Sequence, residues 1–245
     1  MYKYTLTTYV PLLHQAYMKN QDGLWALSPS GLYNFIGCPA CFWVDQHIGR
    51  ASMLPLRLND AMDAKLKSRY DSFRKRGQLP PEISGLKGLQ LYPDLSQLEI
   101  WRSKKSELQY TNQKDGFVLA GKIDELFVNK KGEFVIADYK SSGDEPKPEK
   151  LDYYLLQLHA YALLFLKKGY KVANKAYLLN YYPKTRTSPS MAVDLACKVI
   201  EAKLDLPEFE KTLRKMVRFL NRDYQDANED CKTCTYQVKR QKYLA

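Results

Sequence analysis

Two short stretches of this chain place residues that do chemistry at regular spacing: Gly121-Lys122-Ile123-Asp124-Glu125 and Val135-Ile136-Ala137-Asp138-Tyr139-Lys140-Ser141-Ser142. Alternation along a strand points Asp138 and Lys140 to one face, after Phe134 and Ile136. A carboxylate and an ammonium ending an apolar strand face are costly to bury without partners. Asp124 is the expected partner. The link Lys130-Lys131-Gly132 fits a three-residue hairpin loop with glycine in the left-handed position. If Asn129 faces Glu133, paired positions sum to 262 and Asp124 falls opposite Asp138. An even-length loop would put Ala137 there instead. Two facing carboxylates repel unless a cation lies between them, and Mg²⁺ or Mn²⁺ prefers carboxylate oxygen and water. Beside such an ion, Lys140 would orient or deprotonate an attacking water, or stabilise charge on a phosphate. A surface hairpin with an Asp–Lys salt bridge is the competing reading of these residues taken alone.

The elements that must hold this pair are legible around it. Gln157 and Tyr161 lie four apart, on one face of a helix predicted over 151–167. They flank an apolar stripe of Leu151, Leu155, Leu158, Ala162 and Phe165, which core packing explains; packing does not ask for Gln157. Strands are predicted at 98–101, 117–128, 134–140 and 175–182. A helix is expected from Ser28 as N-cap, with Pro29 at its first position, to Gly37, and another over 58–76, ended by Gly77 and Pro80-Pro81. Pro207 opens a last helix that turns Phe209, Leu213, Met216, Val217 and Leu220 inward. Its outer surface would carry Lys211, Arg214, Lys215 and Arg218 along a nucleic-acid backbone. The sequence reads as one mixed α/β (α+β) domain over 1–245, with a core at about 95–185.

Composition narrows the partners. Thirty-eight Lys and Arg against 27 Asp and Glu give a formal charge of +11, which favours a polyanion. No apolar run approaches the ~18–20 residues of a membrane span. The opening residues Met1-Tyr2-Lys3-Tyr4-Thr5-Leu6 lack the pattern of a signal peptide, so a cytoplasmic location is expected. In a reducing compartment cysteines serve as metal ligands or core residues rather than disulfides. Cys38-Pro39-Ala40-Cys41 and Cys231-Lys232-Thr233-Cys234 each offer two thiolates from one turn. Together they make a Cys₄ site, for Zn²⁺ or an iron–sulfur cluster, that would clasp segments 28–45 and 225–240. Cys197 reads as a small core residue.

The ordered set Asp124, Asp138-Tyr139-Lys140-Ser141 and Gln157-x-x-x-Tyr161 resembles the RecB-like branch of the PD-(D/E)XK nuclease superfamily, including the CRISPR adaptation exonucleases and the AddB nuclease domain. The resemblance implies a restriction-endonuclease-like core, with a central mixed sheet flanked by helices. It implies that Asp124 and Asp138 hold Mg²⁺ or Mn²⁺, that Lys140 is catalytic, and that Gln157 and Tyr161 support the site and the DNA. The activity it implies is metal-dependent DNA hydrolysis, exonucleolytic rather than endonucleolytic, on single strands or single-stranded ends, in repair, recombination or phage and CRISPR DNA processing. The branch usually supplies a further ligand, His, from an early helix. Here Asn59-Asp60-Ala61-Met62-Asp63-Ala64 has no His, and Asp63 stands where it would fall. Segment 28–39 also resembles the start of branch members that pin their termini with a [4Fe–4S] cluster, which is the expected occupant of the Cys₄ site, with Zn²⁺ as the alternative. Those members place one cysteine early and three late, whereas this chain divides them two and two. A metal-clasped DNA-binding or adaptor module that no longer turns over is the alternative function.

Overall fold

The computed structural model describes residues 19–49, 57–103, 106–147, 152–185, 187, 192–224, 228–241 and 243. The opening Met1 to Leu6 stretch and Leu151 of the predicted stripe lie outside them. The central sheet has five strands in the order β2 (Leu89–Leu91), β5 (Glu125–Asn129), β6 (Phe134–Ser141), β7 (Lys175–Pro183) and β8 (Leu195–Lys203). Only β6 and β7 run parallel; the other neighbours are antiparallel. A parallel pair needs a crossover, and α5 (Asp152–Lys167) supplies it. A second sheet holds β1 (Trp25–Leu27), β4 (Phe117–Ala120) and β3 (Gln109–Asn112), in that order. The architecture is the mixed α/β, restriction-endonuclease-like core expected.

The pleat of β6 divides the interior in two. Phe134 and Ile136 join Leu126, Leu158 and Phe165 in a core under α5. Val135, Ala137 and Tyr139 join Phe127, Tyr177 and the inward residues Leu66 and Tyr70 of α3 (Arg57–Arg74) in a core on the other face. Strand β6 is therefore covered on both faces, which is why its sequence is nearly continuously apolar. The helix α6 (Leu206–Leu220) buries all five predicted inward residues, with Asp205 as N-cap.

Three expectations are corrected. Residues 98–101 form part of a helix, α4 (Leu95–Arg102), capped by the Asp94 side chain accepting from the Gln97 amide at 3.0 Å. Leu98 and Trp101, three apart, face the core, a spacing that alternation cannot produce. The stretch 117–128 is two strands in different sheets, broken at Gly121. A Cβ there would stand 2.7 Å from Pro29 Cγ and 3.2 Å from Tyr161, so only glycine lets the chain pass. Ser28 and Pro29 form a turn, with the Gly31 and Leu32 amides bonded to the Ser28 carbonyl, and the helix α1 (Tyr33–Gly37) starts after it.

Candidate active site

The hairpin joining β5 to β6 has the odd-length geometry read from its loop. Gly132 takes φ +73°, and the Asn129 amide donates to the Glu133 carbonyl at 3.0 Å. The Asn129 side chain accepts from the Lys131 and Glu133 amides, which locks the turn. Glu125 pairs with Ala137 and Leu126 with Ile136, the register in which positions sum to 262. The β5–β6 ladder stops there, while β6 continues to Ser141 against β7. One edge of β6 is thus left open from Asp138 onward. Asp124 stands at that opening, its Oδ2 accepting the Tyr139 amide at 3.3 Å.

The cleft at this opening has a volume of about 390 Å³ and is lined by Asp63, Asp124, Lys140 and Tyr154, with Asn59, Met62 and Ser141 around them. Asp138 lies beneath it with no exposed surface. Lys140 Nζ is ion-paired with Asp138 Oδ2 outside hydrogen-bonding geometry, so neither oxygen accepts a well-formed hydrogen bond. Burial and the negative Asp124 beside it push the Asp138 carboxyl well above the carboxylate range, against the pull of Lys140. Asp124 goes the other way. Burial raises it, but Lys67 and Lys140 outweigh burial and hold it below its ordinary value. Burial alone would lower Lys140, yet the two aspartates more than reverse that and keep it a cation.

The donor set suits a hard divalent cation. Two mutually repelling carboxylates, Asp138 fully buried and without hydrogen bonds and Asp124 part-buried at the cleft wall, are what such an ion would relieve. Asp63 borders the same cleft and is bonded to Lys67 at 2.7 Å. Lys67 Nζ also stands 3.2 Å from Asp124 Oδ1, bridging the two acids from α3.

Supporting side chains come from one face of α5. Tyr154, Gln157 and Tyr161 follow at intervals of three and four. Gln157 Nε2 donates to the Tyr161 hydroxyl at 2.8 Å, and Lys140 Nζ sits 5.2 Å from the Tyr154 ring centroid. Buried Tyr161 is close enough to feel both aspartates, which together with burial push its hydroxyl pKa up.

A profile of the PD-(D/E)XK nuclease superfamily matches residues 57–238. The chain belongs to the PD-(D/E)XK nuclease superfamily. No curated protein matches the sequence. Two solved structures resemble the fold of this PD-(D/E)XK chain loosely. One, described as the crystal structure of SSO0001, has a TM-score of 0.38 and 16% identity, covering 90% of this chain and 86% of that one. The other, LHK-Exo in complex with dAMP, has a TM-score of 0.38 and 14% identity, covering 89% of this chain and 94% of that one. At such scores neither bears on the site.

Away from the cleft, this PD-(D/E)XK chain brings its four paired cysteines together. The ligand atoms of Cys38, Cys41, Cys231 and Cys234 all lie within 4.8 Å of one another. Cys38 caps α2 (Pro39–His47) and Cys231 immediately precedes α7 (Lys232–Gln241), so both pairs occupy first turns where backbone amides favour thiolates. Hydrogen bonding, chiefly to the Cys234 amide, lowers Cys231 to about 7, whereas burial pushes Cys41 and Cys234 up. Cys197 is half-buried on β8 rather than fully in the core, and burial raises it to about 11.

On α6, Lys211 is held by Glu208 at 2.9 Å, and Arg214 stands 3.9 Å from Glu210 and 4.0 Å from Asp115. Lys215 and Arg218 are exposed. His159 is a strut between helices, its Nδ1 on the Leu155 carbonyl and its Nε2 accepting the Asp205 amide at 3.0 Å. Sequence reasoning missed Lys67, Tyr154 and the buried trio Arg74, Arg102 and Glu125. The signals were present: Lys67 is four residues after Asp63, and Tyr154 shares the face of Gln157 and Tyr161. Among the described residues, no helix is long and apolar enough to cross a membrane.

Proposed function

We propose that the chain is a Mg²⁺- or Mn²⁺-dependent deoxyribonuclease working at DNA ends, with Asp124 and Asp138 as metal ligands, Asp63 as a third oxygen donor, and Lys140 as the catalytic cation. The observation that carries this reading is Asp138: a fully buried carboxylate, ion-paired with Lys140 outside hydrogen-bonding geometry and facing Asp124 where the β5–β6 ladder ends. The ion, when bound, would supply Lewis-acid stabilisation of the phosphate and favour ionisation of a water. Lys140, held cationic by the aspartates, is suited to neutralise charge developing on the phosphate and to orient the attacking water rather than to accept a proton. Gln157 fixes the hydroxyl of buried Tyr161, which would support the α5 side of the site. The resemblance to RecB-like exonucleases supports ends over internal sites, and single strands or single-stranded ends as substrate.

The test is hydrolysis of end-labelled single- and double-stranded DNA with Mg²⁺ or Mn²⁺. Activity is expected with metal and not without it, and Lys140→Ala is expected to lose about 10²–10³-fold, as when one charge-stabilising group is removed. Equal inactivity of both proteins on every substrate would favour the non-catalytic DNA-binding module instead.

For the clasp, sulfur spacing favours a single ion over the [4Fe–4S] cluster that the resemblance implies. Three of the Sγ–Sγ distances are 3.4, 3.6 and 3.7 Å, and all four sulfurs lie within 4.8 Å of one another. A tetrahedral Zn²⁺ with Zn–S bonds of about 2.3 Å sets its thiolates about 3.8 Å apart. A cubane interposes iron and sulfide between the thiolates and spreads them wider, which supports the single ion. We therefore take the clasp as structural zinc. Elemental analysis of the purified chain should give one zinc and no iron, with no visible charge-transfer absorbance; four irons per chain would reverse the assignment.

A further inference from the structure

We infer that the groove between α3 and α4 binds the phosphodiester backbone of the DNA strand that enters the cleft. The groove encloses about 770 Å³, and its walls carry Lys67, Lys75, Arg76 and Arg102 with the hydroxyls of Ser68 and Ser72. Two acids share it, Asp71 and Glu99. Both are already engaged: Arg102 Nη1 contacts Asp71 and Glu99 at 3.0 Å, and Arg74 Nε contacts Asp71 at 3.3 Å. Lys75 and Arg76 are exposed, and among the described residues neither has an acidic partner.

The groove and the cleft meet at Asp124. Lys67 Nζ lies 3.2 Å from its carboxylate, and Arg102 Nε donates to its carbonyl at 2.9 Å. From Lys67, which is held by Asp63 and Asp124, the groove runs along α3 past Asp71 to the exposed pair Lys75 and Arg76, the Lys75 amide still bonding the Asp71 carbonyl at 3.1 Å. Eight residues of helix extend about 12 Å. That length passes roughly three or four phosphates of a strand rising 3.4 Å per nucleotide. Serine hydroxyls beside lysines are the usual company of a phosphate backbone, which they contact without reading sequence. Each surface has two exposed cations, Lys75 and Arg76 in the groove and Lys215 and Arg218 on α6; the contacts of Lys67 and Arg102 with Asp124 are what favour the groove, on the helix that also carries Asp63.

This inference extends the nuclease reading, but its test is separate. Binding of a fluorescent single-stranded oligodeoxynucleotide is measured by anisotropy without added divalent metal, so hydrolysis plays no part. Lys75→Glu with Arg76→Glu reverses two exposed charges in the groove; Lys215→Glu with Arg218→Glu makes the same change on α6. The groove pair is expected to weaken binding at least tenfold at 0.1 M salt, and the α6 pair less than threefold. Because Arg76 also stacks 4.3 Å from the Phe73 ring, Lys75→Gln with Arg76→Gln is a milder second pair. It is expected to lower the slope of log K against log salt by about 1.4, two single-strand phosphate contacts. Equal losses from both surfaces, or an unchanged affinity for the groove pair, would overturn the inference. If the wild type cuts no DNA yet the groove pair weakens binding, the groove stands and the nuclease reading falls.

Discussion

Asp138→Asn is expected to abolish hydrolysis while leaving the metal-free protein as stable as the wild type or more so. The reason is the environment of this side chain. Its carboxylate is fully buried, faces Asp124, and has only the skewed ion pair with Lys140 in return. Burial and Asp124 therefore raise its pKa above the value an unfolded chain would give it. For an acid shifted upward, the unfolded state releases its proton first as pH rises, so folding is opposed from the unfolded pKa upward. A neutral amide of the same shape removes that opposition. It also removes a proposed metal ligand. Lewis-acid stabilisation is worth several kcal/mol, and at about 1.4 kcal/mol per tenfold its loss is at least about 10³-fold in rate. Thermal melts with and without Mn²⁺ separate the two effects. The wild type should gain stability from Mn²⁺ and Asp138→Asn should not, since a ligand stabilises only the state that binds it. A metal-free melting temperature well below the wild type would mark Asp138 as a structural residue instead.

That opposition between stability and function is also what made the site legible. Asp138 and Lys140 break the apolar pattern of β6, and a sequence rule is broken where something other than packing holds the residue in place. The hairpin was equally readable, because Asn129 and Gly132 fix a three-residue turn by local chemistry. The misreadings have a common cause. Leu98-Glu99-Ile100-Trp101 alternates like a strand, yet four residues cannot decide between periods of 2 and 3.6, and the Asp94 cap decided it. Gly121 was visible as a residue but not as a break between sheets, since its reason is the long-range approach of Pro29 and Tyr161. The edge strands β1, β2 and β3 are three or four residues long, too short for any periodicity to declare them. Lys67, Arg74 and Arg102 look like solvated charges in sequence; only the packing of α3 and α4 against the start of β5 turns them inward.

Glu125→Ala is expected to destabilise the fold more than any substitution in the cleft, although Glu125 is next to the site and not in it. Strand alternation sends Glu125 to the face opposite Leu126, into the core under α3, where it has no exposed surface. Its carboxylate accepts from Arg74 Nη2 at 2.7 and 2.8 Å, Arg102 Nη2 at 3.0 Å, the Tyr139 hydroxyl at 2.8 Å and the Leu126 amide at 2.8 Å. The two guanidinium side chains are only 2% and 4% exposed. Removing Glu125 leaves Arg74 with Asp71, and Arg102 with Asp71 and the exposed Glu99, and loss of one member of a buried ion pair costs about 3–5 kcal/mol. At about 2–4 °C per kcal/mol for a chain of this size, the melting temperature should fall by roughly 6–20 °C. The effect reaches the site as well, because Arg102 Nε holds the Asp124 carbonyl and Tyr139 lies between Asp138 and Lys140. A double-mutant cycle with Arg74→Met separates an orphaned charge from a lost packing contact. If the charge is the cause, Glu125→Ala with Arg74→Met should be less destabilised than the sum of the single changes, since the excess positive charge is gone. Additive losses would mean that Glu125 contributes by shape and hydrogen bonds alone.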